Sequence, residues 1–156
     1  MSEDSDATVY FEDVEPGTVT DCGATTVTET DIREFAAEFD PLDIHTDPDA
    51  AAESRFDGII ASGYHTLSLS VRLLVDAVRS QRAVVGGLGI DDVRWHAPVR
   101  PGDELHVENE ILDTRPSESD ATSGVVHESI TVTNGDGETV LTLENYELVA
   151  RRNGAD

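Results

Sequence analysis

The hydrophobic pattern changes character along this chain, and the changes mark out its elements. Thr18 to Thr28 is rich in Thr and Val and reads as a first strand. Thr28-Glu29-Thr30-Asp31 then fits a capping box, followed by Ile32, Phe35, Ala36 and Phe39 at helical spacing. That helix stops at Pro41, which pushes the residue before it, Asp40, out of the helical region. His45 then falls in the loop beyond. Thr46-Asp47-Pro48 starts a short Ala-rich turn that runs to Ser54, and Arg55 to Ser62 reads as a loop. From Gly63 to Ser80 the apolar residues Leu67, Leu69, Val71, Leu73, Leu74, Val75 and Val78 occupy more than one helical face. Such a helix is wrapped by other structure rather than lying on a surface.

After that helix the pattern is that of strands. Gln81 to Pro98 is apolar and contains glycine, and its Gly86-Gly87-Leu88-Gly89 is not a phosphate loop, because no Lys-Ser/Thr pair follows. Arg100-Pro101-Gly102-Asp103 is a turn signal. Glu104 to Thr114, Ser123 to Thr133 and Glu138 to Arg151 read as three further strands, the last two closed by Asn134-Gly135-Asp136-Gly137. One strand, short helices, one long helix and four strands predict an α+β fold with an antiparallel sheet covering the helix. The expected division is an acidic arm over 1–17, one domain over 18–151 and a tail over 152–156.

Length and composition narrow the setting. A chain of 156 residues holds one domain with a core. No run approaches the 18 or so apolar residues of a membrane span, and the acidic start lacks the order of a secretory signal. The single Cys22 permits no internal disulfide and fits a reducing compartment, so a cytoplasmic protein is expected. All ten basic residues are arginine and the net charge is -23. A negative surface of this size repels nucleic acid and anionic membranes, so neither is an expected partner. At about 1 M salt the Debye length shrinks to roughly 3 Å and the self-repulsion is screened. The composition resembles that of cytosolic proteins from extreme halophiles, and the charge reports the solvent more than the ligand.

Candidate chemistry gathers between Phe39 and Thr66. Asp40 lies five residues before His45, and Ser62-Gly63 opens the long helix. An acid and an imidazole can activate a water molecule, and the free N–H groups at a helix start can polarise a carbonyl oxygen. Each piece also has a purely structural reading. Asp40 could cap the chain after a helix, His45 could bond a turn, and Ser62 could be an N-cap before a glycine that allows close packing. Taken singly, the residues leave that choice open.

Their combination resembles the MaoC-like dehydratases, single-hotdog relatives of the (R)-specific enoyl-CoA hydratases. The likeness rests on Asp40-Pro-Leu-Asp-Ile-His45, on Ile60-Ala61-Ser62-Gly63 about fifteen residues later, and on Arg94-Trp95-His96-Ala97-Pro98-Val99-Arg100-Pro101-Gly102-Asp103. It covers roughly residues 15–150. Two features depart from the commoner pattern: Pro41-Leu42-Asp43-Ile44 replaces an Asn-Pro-x stretch before the histidine, and Ser62 replaces a histidine before the glycine.

The resemblance implies a hotdog fold and hydration of a trans-2-enoyl thioester, or the reverse. It implies Asp40 and His45 as the catalytic pair, with Gly63 and Ser62 at the oxyanion and substrate-binding position. An acyl-CoA substrate and a homodimer with sites near the subunit boundary are also implied. No metal and no bound cofactor is called for. An acyl carrier protein is a weaker partner for so acidic a chain, and Arg72, Arg94 and Arg100 are either contacts for CoA phosphates or partners of nearby carboxylates. A metal set of His45, Asp47 and His65 lacks a supporting thiolate. His96, His106 and His127 fall on strands. Two rival functions remain, a hotdog acyl-CoA thioesterase and a noncatalytic acyl-CoA-binding subunit; the first would want an acid on the long helix, and Tyr64 to Leu74 offers none.

Overall fold

The computed structural model describes residues 7–153. Strand β1 (Val19–Thr26) leads into α1 (Glu29–Phe39), then the short helices α2 (Asp43–Thr46) and α3 (Pro48–Ala52). The long helix α4 (Gly63–Ala77) follows, and then β2 (Val84–Trp95), β3 (Glu104–Pro116), β4 (Ser123–Thr133) and β5 (Thr139–Ala150). The five strands form one antiparallel sheet in the order β1-β3-β4-β5-β2. This is the α+β architecture expected of a hotdog fold.

The sheet buries one face under α4. On β3 exposed and buried residues alternate from Glu104 to Ile111, as they must when one face is covered and the other wet. Leu105, Val107, Ile130, Val132, Leu141 and Leu143 from the covered face meet Leu74 of α4 in the main core. The helix is covered on one side only. Tyr64 and Val71 on α4, and Leu88 and Ile90 on the edge strand β2, stay exposed in the single chain. The expected full wrapping of α4 is therefore not achieved within one copy.

Three expectations shift. Residues 1–6 of the expected acidic arm lie outside the described residues, while within 7–17 Val9, Phe11 and Val14 pack on the domain. Val9 bridges Arg82, Phe11 lies against Gly124, and Val14 joins Ile111, Val126 and Val149 in a second apolar cluster. A side chain at Gly124 would collide with the Phe11 ring, so the glycine makes room for it. In the expected tail, Arg152 donates its backbone N–H to Glu12 and pairs with Asp13, while 154–156 lie outside the described residues. Finally, His45 sits on the one-turn helix α2 rather than in a loop, because Asp47 N–H closes the turn on the Asp43 carbonyl.

Between the two apolar clusters lies a buried charge network. Arg82 donates to Glu128 at 3.1 Å and pairs with Glu147, and all three are buried. Asn109 and Asn145 each donate to Glu128 at 3.0 Å. Arg79 Nε lies 2.9 Å from Glu147, near enough for an ion pair though not aligned for a hydrogen bond. Burial, followed by the charge of Glu128, pushes the Glu147 carboxyl above the usual range.

Candidate active site

Asp40, His45, Ser62 and Gly63 converge at the start of α4. Asp40 is the residue at which α1 ends, with its N–H still bonded to the Ala36 carbonyl. Its departure from helical geometry aims the carboxylate toward α2 and α4. Ser62 caps α4 by accepting the Tyr64 N–H, and donates its own hydroxyl to Asp40 Oδ2 at 2.7 Å. One side chain thus fixes the helix start and the acid together.

The tautomer of His45 follows from its partners. Nδ1 lies 2.7 Å from the Ile60 carbonyl oxygen, which can only accept, so Nδ1 carries the proton. In the neutral tautomer Nε2 is therefore the unprotonated nitrogen. That nitrogen is 3.5 Å from Asp40 Oδ2. Two acceptors at this separation cannot bond each other directly; a donor of two protons between them, such as water, satisfies both. His45 is buried and Asp40 partly so, which limits the access of bulk solvent to the pair.

A cavity of about 380 Å³ opens beside this pair. His45, Gly63 and Tyr64 line one side, and the segment Trp95 to Val99 the other. The rest of the wall includes Phe56, Ile60 and Ala61, so an uncharged, largely apolar ligand is favoured. Ala61 N–H donates to the Val99 carbonyl at 2.8 Å, tying the two walls together.

The expected residues divide between wall and support. His45 and Gly63 line the cavity, whereas Asp40 stands behind His45 and is not among the lining residues. Ser62 does not line it either, because it is fully buried. Its hydroxyl faces Asp40 and the helix cap rather than the cavity. The considered metal set is not assembled either: Asp47 caps α3, and His65 stacks on Phe35 with ring centroids 4.6 Å apart. Burial lowers the basicity of His65. Arg72 pairs with Asp76 on its own helix, whereas Arg94 and Arg100 are exposed and make no ion pair among the described residues. His96, expected on a strand, lies just beyond the end of β2, where it joins the cavity wall and bonds Thr142 at 2.8 Å. Sequence reasoning also missed Trp95 as a site residue; the signal available was a lone, large aromatic at the end of a strand.

The family model for the MaoC like domain matches residues 13–134. The chain belongs to the MaoC-like domain family. Among solved structures, it is similar to the MaoC-like dehydratase from Rhodospirillum rubrum, at 35% identity and a TM-score of 0.81, covering 92% of this chain and 98% of that one. It is also similar to the (R)-hydratase PhaJ1 from Pseudomonas aeruginosa, at 26% identity and a TM-score of 0.75, covering 92% and 86%. Protein MaoC of Klebsiella aerogenes is 38% identical over 99 residues, which are 63% of this chain but only 29% of that protein. The hotdog fold and membership of the MaoC-like domain family are thereby established. No described helix is long and apolar enough to cross a membrane.

Proposed function

We propose that this MaoC-like domain adds water to a trans-2-enoyl thioester, and catalyses the reverse dehydration, with coenzyme A as the acyl carrier. The observation that carries this reading is the Asp40/His45 pair, whose two acceptors stand 3.5 Å apart, with His45 on the wall of an apolar cavity. Water held there gives one proton to His45 Nε2 as its oxygen bonds to Cβ of the enoyl group. Electron density moves through the double bond onto the thioester oxygen. The Gly63 N–H, at the positive end of α4, stabilises that charge. The pair then returns the proton to Cα, so that one water is added and both residues end as they began.

The cavity suits an uncharged acyl group, since neither a lysine nor an arginine lines it. Arg94 and Arg100 bracket the lining segment Trp95 to Val99 and are free of ion pairs among the described residues, which suits them to the CoA phosphates. The exposed apolar residues of α4 and β2 support a homodimer, in which a second copy covers that face.

Hydration of crotonyl-CoA, followed as loss of enoyl absorbance in multimolar KCl, tests the proposal. Release of free thiol with the enoyl group intact would instead mark a thioesterase. Binding with neither change would mark a noncatalytic acyl-CoA subunit.

A further inference from the structure

The indole of Trp95 lies on the same cavity but neither gives nor takes a proton in the proposed reaction. Its Nε1–H donates to the Gly63 carbonyl at 3.0 Å. Its ring lies so close to Gly63 that a Cβ there would sit 2.5 Å from two indole atoms. Gly63 has no left-handed backbone angle to explain the glycine, so close approach of the indole is the reason for it. The Tyr64 ring meets the indole edge-on, with centroids 5.8 Å apart.

These contacts hold one peptide unit at both ends. The carbonyl of Gly63 takes the indole proton, and the N–H of Tyr64 on the same peptide unit goes to Ser62 Oγ. Ser62 Oγ is bonded in turn to Asp40. The strand end that carries Trp95 is fixed by the pairing of Trp95 with Leu141 on β5. The end of β2 is thus hydrogen-bonded to the turn that opens α4 through the Trp95 indole. Trp95 as a whole is 46% exposed and forms part of the cavity wall.

We propose that Trp95 is a positioning residue: its indole N–H sets the orientation of the Gly63 turn, and its ring is the surface along which the thioester group passes. The inference rests on the reading of Gly63 as the oxyanion donor. A donor displaced by a fraction of an ångström still lets substrate bind but meets the developing charge poorly, so the loss appears in kcat rather than KM.

Trp95 is the only tryptophan in the chain, which makes it a reporter of its own site. Two measurements test the proposal. Trp95→Phe keeps a ring and loses the N–H; kcat for crotonyl-CoA hydration should fall about tenfold with KM changed by less than about threefold. An unchanged kcat, or an effect confined to KM, overturns it. In the unaltered protein, butyryl-CoA, which has no double bond to hydrate, should give a saturable change in tryptophan emission at the concentration where calorimetry records binding. Heat of binding without a change in emission overturns the role of Trp95 even if the variant fails to fold. Absence of both butyryl-CoA binding and enoyl-CoA turnover in the unaltered protein would instead overturn the hydratase reading, and the Trp95 proposal with it.

Discussion

The Ser62 hydroxyl donates to Asp40 Oδ2 at 2.7 Å while accepting the Tyr64 N–H, so the cap of α4 and the acid of the proposed pair share one side chain. Removing that hydroxyl has two separable effects. Ser62→Ala loses the cap, at about 1 kcal/mol, whereas Ser62→Gly loses only a few tenths at such a position. Both leave Asp40 unheld. Similar losses of kcat in the two variants, on the order of tenfold, with unequal thermal midpoints, are therefore expected from steady-state rates and melting curves.

Gly63→Ala should be poorly tolerated. The added methyl would lie 2.5 Å from the Trp95 ring, which is packed between Tyr64 and the helix start. Overpacking of this kind costs about 1–3 kcal/mol. A lowered unfolding midpoint and a lowered hydration rate are expected together, and a variant that melts like the parent would show that the indole moves aside freely.

The buried network around Arg82 makes stability depend on pH. Arg82→Met strands Glu128 and Glu147 without their common partner, at about 3–5 kcal/mol near neutral pH. The Glu147 carboxyl is already pushed up by burial and by Glu128, and loss of the guanidinium raises it further. A carboxyl with a raised folded pKa binds its proton more tightly when folded. Its stabilising contribution is present at low pH and lost as pH rises through the folded pKa. The deficit of Arg82→Met should therefore shrink on going from neutral to mildly acid pH, as read from denaturant midpoints at matched salt.

Salt should stabilise the protein. A net charge of -23 on 156 residues repels itself at low ionic strength. Raising KCl to about 1 M shortens the Debye length to roughly 3 Å, and the unfolding midpoint should rise with it. A midpoint insensitive to KCl would mean that the acidic surface carries no such cost.

Much of the architecture was readable from residue order. The capping box at Thr28, the stop at Pro41, the helix from Gly63 and the hairpin at Asn134 all rest on local rules, and all occur in the structure. The lead-in was not readable, because Val9, Phe11 and Val14 are spaced without period among acids and are covered through contacts with residues far along the chain. The helix around His45 is a single turn, too short for any period to show. At the site, the resemblance to the MaoC-like dehydratases pointed to Asp40, His45 and Gly63, which the structure brings together. Ser62 was expected at the ligand, but three-dimensional closure turned its hydroxyl inward to an acid 22 residues away. The contact of Trp95 with Gly63 spans 32 residues and joins a sheet edge to a helix start, a relationship that no local pattern encodes.

The central claim is that Asp40 and His45 together activate one water for addition to an enoyl thioester. Asp40→Asn keeps the shape and the Ser62 contact but removes the charge, while His45→Ala removes the unprotonated nitrogen. The most direct measurement is the rate of crotonyl-CoA hydration by the parent and both variants, in multimolar KCl, with folding checked by circular dichroism. The account predicts turnover by the parent and a loss of roughly a hundredfold or more in each folded variant. Hydration at the parental rate by either one would contradict it.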